Sequence, residues 1–194
     1  MTVYTFPLQA LTAPIPSSAP GIRRQTGKQN GELLLLPPGV PLPCGDFSLV
    51  LSLSKSVTRS QAASGLFLLD PACAEEFPRS QVYITACSSG GTLTEYWQSS
   101  LSKWDSRLWL LLLPVCRRFP IPCPDGQGEE ISQEESARLQ SISSVHFCEE
   151  FLCRYCFGMG SGAAWMHLFD TAETMQQKLD LAERMEIPHV VNFM

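Results

Sequence analysis

The sequence has no run of basic residues. Lys and Arg total 14 against 19 Asp and Glu, a net charge of -5. A nucleic-acid surface needs clustered cations to displace phosphate counterions, so nucleic acid is excluded as a partner. Long hydrophobic runs are also missing. The longest covers residues 108–115, flanked by Arg107 and Arg117. That is far short of the roughly 20 residues that span a bilayer, so no membrane partner is expected. The first residues lack a basic segment followed by an apolar one, and Pro7, Pro14 and Pro16 interrupt them. No signal peptide is read there, and the expected location is cytoplasmic. In that reducing setting the eight cysteines read as free thiols, mostly small buried apolar residues. There is no fixed-period repeat, which argues against a solenoid.

Residues 1–45 read as a proline-rich extended arm, with Pro14, Pro16, Pro20, Pro37, Pro38, Pro41 and Pro43 and one short edge strand over 32–36. A proline-rich ligand for a partner groove is the functional reading of this arm, and its P-x-x-P content is sparse. Residues 46–194 read as a single α/β domain. Strands are expected at 47–53, 65–69, 81–87 and 107–115. Asp70-Pro71 opens a short helix, with Asp as N-cap and Pro at the first position. Thr92 and Glu95 form a capping box, and Leu93, Trp97, Leu101 and Trp104 recur at helical spacing behind it. A loop is expected over 120–128 and a short capped helix from Ser132 to about Ile142. Residues 152–157 are expected to pair as a hairpin with 163–169.

The last thirty residues carry the clearest pattern. Residues 163–169 read as a buried strand, and Asp170 with Glu173 reads as a capping pair. Ala172, Met175, Leu179, Ala182 and Met185 form one apolar face, Asp180 and Arg184 an i,i+4 pair, and Pro188 a stop. Residues 189–194 form a closing strand. The connection is long enough for a parallel, right-handed crossover. The expected fold is therefore α/β: a mainly parallel or mixed sheet of about five to seven strands with flanking helices, ending in a β-α-β unit. This closing unit resembles that of many (β/α) barrels, including family 18 glycoside hydrolases. That family's D-x-x-D-x-D-x-E signature is absent, and a full barrel takes about 250 residues. The resemblance therefore implies a fold element and carries over no catalytic residue.

Three groups of residues could carry chemistry. Ser88-Ser89-Gly90-Gly91-Thr92 joins a strand end to a helix start, where free N–H groups and the helix dipole favour an anion. The Walker and G-x-G-x-x-G spacings are missing, and a C-x5-R loop from Cys87 fails because residue 93 is Leu. Asp70 and Asp170 each follow a strand, where α/β proteins place ligands, although capping alone explains both. Cys148, Cys153 and Cys156 with His146 form the weak metal alternative, and a redox dithiol is a further reading of the cysteines. His167 reads as a packed or surface residue. No nucleophile–base pair or paired carboxylates emerge, and no cofactor is implied. The leading expectation is a non-catalytic domain binding a small anionic ligand or a protein partner. The alternative is a hydrolase or transferase acting on a phosphorylated or sugar ligand at strand C-terminal ends.

Overall fold

The computed structural model describes residues 1–6, 23–26, 32–36, 49–52, 67–77, 80–86, 91–124, 126, 128–160 and 162–193. The chain divides into two compact units. One comprises residues 1–85, 98–113 and 186–194, and the other residues 86–97 and 114–185. The prolines of the N-terminal segment named above lie outside the described residues, as do Ser88, Ser89 and Gly90.

The first unit is a mainly parallel sheet, as the apolar runs imply. It contains β1 (Thr2–Phe6), β2 (Arg23–Thr26), β3 (Glu32–Leu36), β4 (Leu49–Ser52), β5 (Phe67–Leu69), β6 (Gln81–Thr85), β7 (Leu108–Leu112) and β13 (His189–Phe193). The order is β1-β13-β7-β6-β5-β4-β3-β2, and only β2 and β3 pair antiparallel. The Leu-rich β7 is buried along its whole length between β13 and β6, the central place its composition predicts. One face gathers Leu68, Trp109, Leu111, Val191 and Phe193. Trp109 stacks on His189 at 4.3 Å and on Tyr4 at 5.6 Å, and its indole N–H donates to Gln81. Asp70 caps the short α1 (Pro71–Ala74) by accepting from the Ala72 N–H, as expected. The helix α2 (Leu93–Trp104) runs between β6 and β7, with the predicted Thr92–Glu95 capping box in place.

The second unit is an antiparallel sheet of β8 (Cys116–Ile121), β9 (Glu129–Glu130), β10 (Val145–Cys148), β11 (Cys153–Gly160) and β12 (Ala163–Phe169), in the order β10-β11-β12-β8-β9. It carries α3 (Gln133–Ile142) and α4 (Ala172–Arg184). The β11–β12 hairpin is the one anticipated, and β8 is an addition to the expected elements. Pro120 sits inside β8, where among the described residues β9 pairs with Arg117 and Arg118 and not with the proline.

The end of the chain departs from expectation in three ways. The order strand–helix–strand holds, but β12 and β13 lie in different sheets. β12 pairs antiparallel with β11 and β8, and β13 pairs with β1 and β7. Pairing partners are set by the whole sheet, and a short turn through Gly162 at φ +80° brings β11 to β12 first. Second, the cap of α4 is Thr171 with Thr174, in place of Asp170 with Glu173. Glu173 instead pairs with Arg154, and Asp180 accepts from Gln176. Third, the buried face of α4 is Thr174, Met175, Lys178, Leu181 and Ala182. The helix stops at Arg184, ahead of a left-handed Glu186, before Pro188 can act.

Gly158 in β11 lies under the ring of Trp165, its cross-strand partner, so a Cβ there would run into the indole. At Gly160 the nearest indole atom is 3.4 Å from a Cβ position. Gly158→Ala should therefore destabilise the protein by about 1–3 kcal/mol through overpacking, with Gly160→Ala close to wild type. Urea unfolding of both variants checks this.

Candidate functional site

Side chains alternate across a strand, so the register of the antiparallel sheet sorts its residues onto two faces. One face receives Arg117 and Phe119 from β8, Cys153, Tyr155 and Phe157 from β11, Met166 and Leu168 from β12, and Cys148 from β10. The other receives Arg118, Arg154, Cys156, Trp165, His167 and Phe169. The first face forms the wall of a cavity of about 680 Å³, closed also by Phe147, Glu150 and Phe151. Its volume lies in the range that holds a drug-sized ligand.

The two adjacent arginines have different fates because they point to opposite faces. Arg118 is held by Glu135 at 2.8 Å and Glu129 at 3.0 Å. Arg117 faces the cavity, its side chain is 43% exposed, and among the described residues its ion-pair partner is Glu130 at 4.0 Å. Lys178 also reaches the cavity lining but is fully neutralised. Its ammonium lies 2.7 Å from both oxygens of Asp170, and the two side chains are 1% and 0% exposed. Asp170 further accepts from the Val115 N–H at 2.9 Å and the Thr174 hydroxyl at 2.8 Å. This carboxylate is a structural hub and has little capacity left for a ligand. Glu150 accepts from the Cys148 thiol at 3.3 Å. Burial pushes that thiol up from its ordinary range, and Glu150 adds to the shift.

The residues singled out from sequence separate. Asp70 belongs to the first unit, whereas Gly91, Thr92 and Asp170 belong to the second. Gly91 has φ +71°, a conformation suited to glycine. The Thr92 N–H and hydroxyl both donate to Glu95, and the Leu93 N–H donates to the Glu150 carbonyl, so these helix-terminal donors are in use. The weak metal set does not assemble. His146, Cys148 and Cys153 share one face of the sheet and Cys156 points to the other, while His146 packs against Tyr155. Among the described residues no group of three or more His, Cys, Asp or Glu side chains could hold a metal ion.

His167 is fully buried on the second face, stacked on Phe169. Its Nδ1 is 3.1 Å from the Arg117 carbonyl, so that nitrogen carries the hydrogen, and Nε2 accepts from the Ser136 hydroxyl at 3.0 Å. Gln140 also donates to Ser136. The arrangement looks like a nucleophile and its base. Ser136 is only 6% exposed, however, and neither residue lines the cavity. The cluster is a satisfied polar core.

The aromatic face was hidden in a stretch whose alternation, Cys153-x-Tyr155-x-Phe157-x-Met159, is a period-two signal. Lys178 and Arg117 had no signal at all, since a lysine on a polar helix and an arginine beside another arginine read as solvated.

Two outcomes follow from these groups. Lys178→Met leaves a buried carboxylate unpaired and should cost about 3–5 kcal/mol, and adding Asp170→Asn should recover much of that. Asp70→Ala, which removes only a cap, should cost about 1 kcal/mol. A urea-denaturation cycle reads all of these. Burial holds the His167 pKa below its ordinary value, and it does the same to His189. The unfolded chain then takes up protons first, so stability is full above about pH 6.5 and falls as the pH drops below it. Melting temperatures between about pH 7.5 and 5 should show that slope, and His167→Asn should flatten it.

No helix among the described residues is long and apolar enough to cross a membrane. No family model matches the chain, and no curated protein matches it. Solved structures similar to this chain include three at 13% identity. The first is a proposed sporulation-specific glycosylase, YdhD, of Bacillus subtilis, with a TM-score of 0.49 over 74% of this chain and 64% of that one. The second is the spore cortex-lytic enzyme SleL of Bacillus cereus, at 0.46 over 58% and 30%. The third is SleL of Bacillus megaterium, at 0.44 over 74% and 37%. The chain thus spans less than two thirds of the length of each.

Proposed function

We propose that this protein binds a small amphipathic anion in the cavity of the antiparallel unit, without transforming it. The carrying observation is the split between the two arginines. One face of the sheet ties Arg118 to two carboxylates, and the other leaves Arg117 lining an apolar cavity with, among the described residues, one distant partner. The ligand's apolar body would lie on Tyr155, Phe157, Met166 and Leu168, where burial of apolar surface supplies the affinity. Its carboxylate or phosphate would pair with Arg117, whose planar guanidinium suits such groups. Binding is favoured over chemistry because Asp170, the buried carboxylate of this unit, has its oxygens taken by Lys178, Val115 and Thr174.

The test is a calorimetric titration with a medium-chain alkyl carboxylate, the matching alkylammonium and a neutral oligosaccharide. The carboxylate should bind saturably. Arg117→Ala should weaken it about tenfold, the loss of a charge-assisted hydrogen bond. The alkylammonium should not compete. Binding of the oligosaccharide alone, lost on Phe157→Ala, would replace this reading with a hydrolase or transferase acting on sugar.

A further inference from the structure

The cavity wall contains a second feature that ligand binding does not use. Cys148 and Cys153 are direct cross-strand partners at the closed end of the β10–β11 hairpin. Partners in an antiparallel ladder have Cα atoms about 4.5 or 5.5 Å apart and side chains on the same face. Both spacings fall inside the range a disulfide accepts. Both cysteines line the cavity, and they are not bonded to each other. Cys148 is half-buried, whereas Cys153 is buried. The four residues joining them include Leu152 at φ +47° and carry Glu150 and Phe151 to the cavity. Cys156, on the opposite face, cannot compete for this bond.

We infer that Cys148 and Cys153 form a disulfide under peroxide, a reversible covalent modification that clamps the hairpin bounding the cavity. The Cys148 thiolate attacks one peroxide oxygen, the O–O bond breaks, and the departing hydroxide takes up a proton as water. The sulfur is left as a sulfenic acid. Cys153 then attacks that sulfur, the S–O bond breaks, and a second water leaves with the Cys153 proton. Peroxide is the two-electron oxidant, and a dithiol reductant reverses the change. Because burial and Glu150 hold Cys148 protonated, the first step is slow and needs sustained oxidant. The clamp fixes Phe147, Glu150 and Phe151 at the cavity mouth, whichever ligand enters.

The experiment uses the full chain, incubated with excess hydrogen peroxide and alkylated. The tryptic peptide of residues 139–154 contains Cys148 and Cys153 and no other cysteine. It should appear unalkylated and lighter by two hydrogens, and dithiothreitol should restore both alkylation sites. Amide exchange across residues 145–148 should slow by about tenfold or more in the oxidised protein. Cys148→Ser, a change at a half-buried position, should abolish both effects. A peptide that gains oxygen without losing two hydrogens, a bridge from either cysteine to another part of the chain, or unchanged exchange after bridging would each overturn the inference. These readouts need no ligand, so they stand or fall separately from the binding proposal.

Discussion

The second unit depends on one buried ion pair. Asp170 and Lys178 lie out of water at 2.7 Å, a placement whose desolvation cost is recovered only if every remaining lone pair finds a donor. Val115 and Thr174 supply those donors. The Asp170 N–H returns a bond to the Val115 carbonyl, so the end of β12 is stitched to the start of β8. The same carboxylate reaches the first turn of α4 through Thr174 and its second turn through Lys178. One side chain therefore sets the register of a strand pair and the rotation of a helix. This explains why α4 buries Lys178 and leaves Ala172 exposed, against the plain reading of its apolar pattern.

The cavity is a consequence of that arrangement and of strand alternation. With β8, β11 and β12 held in register, every second residue faces one side, and apart from Arg117 the residues that line the cavity from there are aromatic, aliphatic or sulfur-bearing. The opposite side receives the polar cluster of Ser136, Gln140 and His167, where each group has a partner. Two neighbouring arginines on β8 thus end in different environments, one saturated with carboxylates and one beside apolar walls. The proposed ligand site and the proposed cysteine pair share the same face for the same geometric reason.

Much of the local structure was legible. The Thr92–Glu95 box, the Asp70 cap, the Leu-rich central strand and the β11–β12 hairpin all rest on interactions within a few residues or on strong periodicity. Asp170 shows where such reasoning stops. Its sequence context nearly repeats that of Asp70, with a strand before and a helix after, and capping physics applies equally to both. What distinguishes them is the set of donors that meets Asp170: Val115, Thr174 and above all Lys178, eight residues away and turned inward. The metal set failed similarly: four residues close in sequence were divided between two faces by a two-residue periodicity that spacing alone does not resolve.

The sequence by itself determined the secondary structure of the best-marked segments and the mixed α/β character, because these follow from composition and short-range periodicity. Tertiary structure decided which sheet each strand joined. A strand's edge can pair with any complementary partner, and the choice belongs to the whole set of strands. It decided that β12 and β13 would part company, that Lys178 would be buried, and that Arg117 would face the cavity. Each of these turns on which side of an element meets another, and burial of a charge is settled only by the donors and acceptors that the rest of the fold delivers to it.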